Sequence, residues 1–117
     1  SAPAITVLTA YYNRPQAVEP SLRSVLEQTW RDLELVAVDD ASTDDTGARL
    51  DALARTDERM RVLHQRENSG FTSAMAAGAA TARGTCIAIH GAGDISLPEN
   101  VSLVSKPDMV CVAVTVP

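Results

Sequence analysis

Two adjacent carboxylates, Asp39 and Asp40, directly follow the apolar run 33–38, which predicts a buried strand. A carboxylate at the end of a strand can accept hydrogen bonds from a ligand that presents N–H or O–H groups, such as a pyrimidine ring or a ribose diol. Each such bond to a charged acceptor contributes roughly 1.5–3 kcal/mol, which is enough to matter for affinity. The alternative is that Asp40 or Ser42 only caps the helix that follows.

Polar residues also follow the other predicted strands. The strand at 4–9 runs into a Tyr-Tyr-Asn-Arg loop, the strand at 61–64 into the polar loop 65–70, and the strand at 85–89 into the segment 90–94. Because ligands bind at the carboxyl ends of the strands in a parallel sheet, these loops are the candidate functional segments.

The elements that position these loops alternate along the chain as strand, helix, strand, helix, strand, helix and strand. An apolar stripe with helical spacing predicts the first helix over about 15–28, and an alanine-rich run predicts the third over about 72–83. The segment 109–116 predicts a last strand. This order predicts an α/β fold with three layers: a mostly parallel, Rossmann-like sheet with helices on both faces.

The ends of the predicted helices carry local signals. Ser42 or Thr43 is expected to cap the second helix, with Asp44 and Asp45 in its first turn, where the helix dipole favours negative charge. Gly84 is placed to end the third helix.

The bulk properties limit the function classes. A chain of 117 residues with a net charge of -5 makes one small domain, and its acidity argues against nonspecific binding to nucleic acid. Its apolar runs fall short of a transmembrane segment, and no export signal is recognised, which predicts a cytoplasmic protein with peripheral membrane attachment left open. Cys86 and Cys111 lie in apolar stretches and are predicted to be buried free thiols.

Several segments closely resemble the start of family 2 glycosyltransferases, which have the GT-A fold. They are ITVLTAYYNR at 5–14, SVLEQTW at 24–30 and ELVAVDDASTD at 34–44. The segments NSG at 68–70 and DISLP at 94–98 continue the pattern in the same order, with the alanine-rich helix between them. Each motif alone is weak, but their common register is a strong signal.

The resemblance implies transfer of a sugar from a nucleotide diphosphate donor of the UDP, GDP or dTDP type, usually with inversion at the anomeric carbon. The acceptor, whether a glycan, a lipid or another small molecule, stays open. In such enzymes the loop after the first strand and the second carboxylate of the Asp-Asp pair hold the base and the ribose. The nucleotide-binding residues implied here are Thr9, Tyr11, Asn13, Arg14, Asp39 and Asp40.

The chain departs from the family at the end of the fourth strand. The family usually places an Asp-x-Asp-Asp-like cluster there, which holds Mg²⁺ or Mn²⁺ on the diphosphate. The corresponding residues 91–94 are Gly-Ala-Gly-Asp, so Asp94 is the remaining candidate ligand for a divalent cation. Neighbouring His90 is expected to be structural, with a role as substitute ligand as the alternative.

The general base of an inverting transfer has no clear candidate. In the resembled family this carboxylate lies in the second half of the enzyme, and after Asp94 the chain offers only Glu99 and Asp108. No catalytic residue is therefore assigned. The sequence predicts that residues 1–117 form a single nucleotide-sugar-binding domain whose acceptor half is missing or truncated.

Two other functions compete with this interpretation. A degenerate domain of the same fold, binding a nucleotide or a partner without turnover, would explain Gly91 and Gly93 at positions where the family has acids. A receiver-like phosphoacceptor domain would need an acidic pair after the first strand and a lysine after the last. The acidic pair follows the second strand instead, and Lys106 precedes the last.

Overall fold

The computed structural model describes residues 3–27, 31–84, 86–91, 102–104 and 112–114. A short 3-10 turn, Pro15–Ala17, leads into the first helix. The main strands are β1 (Ile5–Tyr11), β2 (Leu33–Asp39), β3 (Met60–His64) and β4 (Cys86–Ile89), and the helices are α1 (Val18–Leu26), α2 (Thr46–Ala54) and α3 (Phe71–Ala80). The four strands are parallel and lie in the order β3-β2-β1-β4.

Alternate residues of β1 and β2 face opposite layers. Val7 and Leu35 belong to an apolar cluster with α1 and α2, whereas Leu8 and Val36 pack in a second cluster with Ala74 of α3. A strand that is buried on both faces has a nearly continuous apolar sequence, and β1 and β2 both have such a sequence. The predicted α/β fold, a three-layer parallel sheet with helices on both faces, is confirmed.

The register of the sheet brings the polar loops together. Tyr11, the last residue of β1, pairs with Asp39 at the end of β2, and Asp39 pairs with His64 at the end of β3. Three neighbouring strands therefore end at the same level. The loops that follow them leave the sheet side by side.

At the amino-terminal ends of the strands, opposite these loops, Glu34 is a buried carboxylate with 2% of its surface exposed. Its Oε2 accepts hydrogen bonds from Thr6 Oγ1 and the Arg83 amide, both at 2.6 Å, and its Oε1 accepts one from Arg61 Nη2 at 2.9 Å. Burial raises the pKa of this carboxyl, but the hydrogen bonds and the Arg61 charge outweigh burial and lower the pKa from 4.5 to about 2. We call these four residues the Glu34 network.

Gly84 packs against β1 instead of ending α3. A Cβ at Gly84 would lie 2.5 Å from the backbone nitrogen of Thr6, and the Gly84 amide donates to Thr6 Oγ1 at 2.9 Å. The helix ends at Ala80, so its predicted extension to residue 83 is wrong. The reason is that Arg83 gives its amide hydrogen to Glu34 and not to a helical carbonyl.

The second helix begins later than predicted. It starts at Thr46, with Asp45 as its N-cap and no side-chain capping bond. Asp44 Oδ1 accepts from both the amide and the hydroxyl of Thr46, which forms a local turn before the helix. Ser42 and Thr43 do not cap the helix, because their hydroxyls bond to the loop after β1.

A small second sheet pairs β5 (Ser102–Val104) with β6 (Val112–Val114) in antiparallel orientation. The strand β6 lies within the predicted strand 109–116, whereas β5 has no counterpart among the predicted elements. The remainder of the predicted strand lies outside the described residues.

Cys86 is disulfide-bonded. The prediction of a free thiol at this position is therefore wrong, because an apolar context suits a buried disulfide as well as a buried thiol. Cys111 lies outside the described residues.

The helices are short. The longest in the described segments, α3, has 10 residues, whereas a helix needs roughly 20 apolar residues to span a bilayer. None of these helices is long and apolar enough to cross a membrane.

Candidate functional site

A cleft of about 430 Å³ lies where the loops after β1, β2 and β3 meet. Ligand sites commonly fall in this range of volume. Two of the rings that line it are well exposed, Tyr12 by 45% and Phe71 by 62%. A carboxylate, a guanidinium and an amide complete the wall. The lining residues are Tyr12, Arg14, Asp40, Asn68, Gly70 and Phe71, together with parts of residues 10–11.

Asp40 connects the end of β2 to the loop before α3. Its Oδ1 accepts hydrogen bonds from the amide and the hydroxyl of Ser69, both at 3.0 Å, and its Oδ2 accepts one from the Gly70 amide at 2.9 Å. This negative charge lies at the N-terminus of α3, where the helix dipole favours it. The alternative that Asp40 caps α2 is not what the structure shows.

The Asp40 carboxylate keeps some acceptor capacity. A carboxylate oxygen can accept about two hydrogen bonds. Oδ1 already has two donors, both from Ser69, whereas Oδ2 has one, from Gly70. Within the described segments no further donor bonds to Oδ2, so this oxygen can still accept from a ligand.

Asp39 is held by contacts within the protein. Its Oδ1 accepts from the Ser42 amide at 3.0 Å, and its Oδ2 lies 2.9 Å from His64 Nδ1. His64 Nε2 lies 2.9 Å from Asp51, and the hydrogen bonds to Asp39 and then Asp51 raise the pKa of His64 above 6.5. Gly47 leaves room for this group, since a Cβ there would lie 2.6 Å from Asp39 Oδ2. Asp39 supports the turn after β2 and is not a lining residue of the cleft.

Asn13 ties the loop after β1 to the loop after β2. Its φ of 50° is left-handed, a conformation that Asn adopts more readily than most residues. Its amide donates to Ser42 Oγ at 3.0 Å, its Nδ2 donates to Thr43 Oγ1 at 3.1 Å, and its Oδ1 accepts from the Thr43 amide at 2.8 Å. We call these three bonds the Asn13 clasp. The clasp fixes the residues on either side of Asn13, and both line the cleft.

Thr9 and Tyr11, two of the predicted nucleotide-binding residues, are buried in the sheet. Thr9 is 0% exposed and does not line the cleft, and its Oγ1 has no hydrogen-bond partner in the described part of the chain. Tyr11 is 1% exposed, and its hydroxyl points to the Ala17 carbonyl at 3.4 Å while another part of the residue borders the cleft. Strand alternation gives the exposed position to Tyr12 instead.

Five lining residues are absent from the predicted set: Ala10, Tyr12, Asn68, Gly70 and Phe71. The polar loop 65–70 was a candidate segment as a whole, and alternation along β1 was the available signal for Tyr12. Phe71 had no comparable signal, since a single aromatic residue before an alanine-rich helix does not reveal whether its ring is exposed.

The metal prediction falls largely outside the described residues. Asp94 lies there, and the segments that are described contain no group of three His, Cys, Asp or Glu side chains that could hold a metal ion. His90 is 3% exposed, and its Nε2 lies 2.9 Å from Ser21 Oγ of α1, which agrees with the expected structural role.

Comparison with known proteins identifies the family to which this chain is similar. The model of glycosyl transferase family 2 matches residues 6–107. Glycosyltransferase GlyG of Streptococcus pneumoniae is 36% identical over 91 residues, which make up 78% of this chain and 30% of that protein. The chain thus spans less than a third of this relative's length.

Solved structures of similar fold support the same grouping. Mannosyltransferase PcManGT from Pyrobaculum calidifontis, in complex with GDP-Man and Mn²⁺, aligns with a TM-score of 0.75 and 28% identity over 82% of this chain and 29% of its own. S. aureus TarS 1–349 in complex with UDP aligns with a TM-score of 0.73 and 24% identity over 81% and 29%. At that identity the second likeness concerns the fold alone.

Proposed function

Since the chain belongs to glycosyl transferase family 2, we propose that it forms the nucleotide-sugar-binding part of a glycosyltransferase. The proposed reaction transfers a sugar from a nucleoside diphosphate to an acceptor hydroxyl, with inversion at the anomeric carbon. The observation that carries the proposal is the cleft at the carboxyl end of the sheet, where Asp40, Arg14 and two exposed rings meet. This is the edge at which α/β sheets bind ligands.

The base is proposed to lie against Asp40. Oδ2 of Asp40 retains an acceptor position, and a ring N–H is the donor that a nucleobase offers to it. The exposed rings of Tyr12 and Phe71 offer flat apolar surfaces that suit the faces of a base. Because Ser69 and Gly70 hold the carboxylate in place, its orientation is set before the ligand arrives.

The diphosphate is proposed to lie against Arg14. A guanidinium binds phosphate oxygens through two parallel N–H bonds, which gives both charge and geometry. The backbone of Arg14 is fixed, since its amide donates to Thr46 Oγ1 at 3.0 Å. In the described part of the chain its guanidinium has no hydrogen-bond or ion-pair partner, so it is available to an anion.

A divalent cation, when bound, would neutralise the diphosphate and help it to leave. PcManGT was solved with Mn²⁺, and Asp94 is the residue of this chain proposed as a ligand. The described residues do not include that position, so the proposed steps of this chain's residues are the binding of the base by Asp40 and of the phosphates by Arg14. The general base and the residues that bind the acceptor are proposed to belong to a second half of the enzyme, and residues 1–117 are proposed to form the donor-binding domain.

The first test measures nucleotide binding by the full protein. Calorimetry with UDP, GDP and dTDP at millimolar concentration, with and without Mn²⁺, should show heat for at least one of them. An absence of heat, together with an unchanged melting temperature, would rule out this cleft as a nucleotide site.

The second test separates phosphate binding from base binding. We expect Arg14→Ala to weaken binding of the nucleoside diphosphate by about tenfold or more and binding of the matching nucleoside by much less. Arg55→Ala is the matched control, since Arg55 is an exposed arginine at the C-terminal end of α2, outside the cleft. An equal loss of affinity for nucleoside and diphosphate would place the phosphates elsewhere.

The third test separates an enzyme from a binding domain that lacks turnover. Sugar transfer or donor hydrolysis by the full protein, lost in Asp94→Ala, would support the enzyme. Tight nucleotide binding without either reaction would support the degenerate domain.

A further inference from the structure

Family membership leaves the base of the nucleotide open. Of two proteins with similar folds, PcManGT was solved with GDP-Man and TarS with UDP. Whether a site of this fold prefers a guanine or a uracil nucleotide must therefore depend on the residues that contact the base. In this chain the contact residue is Asp40, provided that the proposed function is correct.

The acceptor positions of Asp40 are unequal, and Ser69 is the cause. The Ser69 amide and hydroxyl both donate to Oδ1 at 3.0 Å, and together they fill that oxygen. Oδ2 receives the Gly70 amide at 2.9 Å and keeps one position. The carboxylate can thus accept one more hydrogen bond in good geometry, but not a parallel pair.

Nucleobases differ in the donors that they present to such a carboxylate. Guanine presents two adjacent donors, the ring N1–H and the exocyclic amino group, which match the two oxygens of one carboxylate. Uracil and thymine present one ring N–H between two carbonyls. A base with two donors would leave its amino group without a partner at a filled Oδ1, and a desolvated donor without a partner lowers affinity.

The amide of Asn68 offers a second contact to a base that lies against Asp40. Its Nδ2 donates one hydrogen to the Asp40 carbonyl at 3.3 Å, and an amide nitrogen carries two hydrogens. The second hydrogen can be donated to a carbonyl that flanks the ring N–H. Uracil, thymine and guanine all have such a carbonyl, so this contact supports a base without deciding between them. Asn68 and Asp40 both line the cleft, so one base can contact both.

We infer that Ser69 determines the base preference of this site. By filling Oδ1 of Asp40, Ser69 makes the site select a base with a single ring N–H between carbonyls, uracil or thymine, over guanine. Ser69 acts through Asp40 and is a positioning residue, not a catalytic one.

The test compares UDP, dTDP, GDP and inosine diphosphate on the full protein by calorimetry, with excess Mg²⁺ in every titration. UDP, GDP and inosine diphosphate share the ribose and the diphosphate, so differences among these three report the base. Inosine diphosphate has the size of GDP without its amino group, and it separates donor number from ring size. We expect UDP to bind about tenfold more tightly than GDP, with inosine diphosphate between them. The ratio of dTDP to UDP reports the 5-methyl group of thymine together with the loss of the ribose 2′-hydroxyl.

Two variants test the role of Ser69 itself. Ser69→Ala removes the hydroxyl and frees one position on Oδ1, so the preference for UDP over GDP should fall at least threefold. Ser69→Thr keeps the hydroxyl and should keep the preference. Melting temperatures report whether the variants fold, and the ratio of two affinities in one variant is insensitive to a uniform loss of binding.

The outcomes distinguish this inference from the proposed function. Equal or tighter binding of GDP than UDP by the unmodified protein overturns the role of Ser69 and leaves nucleotide binding intact. The same holds if Ser69→Ala leaves the ratio unchanged. If none of the four nucleotides binds, the proposed function fails and this inference fails with it.

Discussion

Buried carboxylates lie near both ends of β2, and two of them, Glu34 and Asp40, are satisfied in different ways. Near its amino end, Glu34 meets two arginines, the Thr6 hydroxyl and a backbone amide. Just beyond its carboxyl end, Asp40 meets amides and a hydroxyl from Ser69 and Gly70, and within the described segments no cation pairs with it. Glu34 is 2% exposed and Asp40 is 4% exposed, so burial alone does not separate them.

The two carboxylates differ in their charge partners and in whether an oxygen can still accept a hydrogen bond. In the Glu34 network the carboxylate is paired with two arginines, and Glu34 and Arg83 also border a separate cleft of about 320 Å³. The Asp40 carboxylate is fixed by neutral donors and borders a cleft of about 430 Å³ that also contains Arg14. The carboxylate of the network is thus paired with charge, whereas the carboxylate proposed to bind the nucleotide is oriented by neutral groups and left with an acceptor position.

The largest expected effect is the loss of stability on breaking the Glu34 network. Glu34→Ala leaves the buried Thr6 hydroxyl and Arg83 amide without their acceptor and removes the partner of Arg61. Each buried donor left without an acceptor costs about 1–3 kcal/mol, whereas Arg61 is 34% exposed and stays partly hydrated, so we expect about 3 kcal/mol in urea unfolding. Nucleotide affinity should stay within about twofold of the original, since the network lies at the amino-terminal ends of the strands and the cleft lies at their carboxyl ends.

Glu34→Gln is the matched control for this change. It keeps an oxygen acceptor and the side-chain volume, so its loss of stability should be clearly smaller than that of Glu34→Ala. A loss below about 1 kcal/mol in Glu34→Ala would show that the network does not stabilise the fold.

The next largest effect is a pH dependence of the same network. Because the pKa of Glu34 is lowered from 4.5 to about 2, its ionised form stabilises the protein above pH 4.5, and this contribution is lost as pH falls toward 2. A shift of this size corresponds to about 3 kcal/mol. Denaturant unfolding of the wild type and Glu34→Gln at several pH values should give curves that converge between pH 4.5 and 2. Parallel curves would contradict the lowered pKa.

A smaller effect is expected at the other end of the strand, and it concerns binding. Asp40→Ala should weaken nucleotide affinity by about 2 kcal/mol, roughly thirtyfold, because it removes a charged hydrogen-bond acceptor from the base. Asp45→Ala is the matched control, since Asp45 is an exposed carboxylate that pairs with Arg49 and does not line the cleft. Equal affinity in wild type and Asp40→Ala would reduce Asp40 to an anchor for the loop before α3.

The smallest effect is expected at His64, which supports Asp39 behind the cleft. Hydrogen bonds to Asp39 and Asp51 raise its pKa, so its stabilising contribution is present below pH 6.5 and is lost as pH rises through the raised pKa. The side chain is 44% exposed, so this contribution should stay below about 1 kcal/mol. An NMR titration should find the pKa of His64 above 6.5 and lower in Asp51→Asn. A pKa at or below 6.5 in the wild type would show that these bonds do not form in solution.

The fold was predictable because both faces of the sheet leave a pattern in the sequence. The apolar runs of β1 and β2, and the stripes and alanines of the helices, indicate the three layers directly. The helix ends were less predictable. The start of α2 depends on Ser42 and Thr43 bonding to Asn13, and the end of α3 depends on Arg83 bonding to Glu34, and both are contacts between residues distant in sequence.

The site was predictable as a set of loops but not residue by residue. The Asp-Asp pair and the loop after β1 pointed to the end of the sheet where the cleft lies. The choice of Tyr12 over Tyr11, and the support role of Asp39 beside Asp40, depend on which face of a strand each side chain occupies at its last residue. The contribution of Phe71 depends on how α3 docks, which no local pattern encodes.

The most direct test of the central claim is to map where a nucleotide contacts the protein. Amide chemical shifts recorded while UDP is added should change at residues 12–14, 40 and 68–71, around the cleft. Those of Thr6, Glu34 and Gly84 should stay constant, because the Glu34 network lies at the amino-terminal ends of the strands, away from this cleft. Changes centred on the Glu34 network, or no changes at millimolar UDP, GDP or dTDP, would contradict the account.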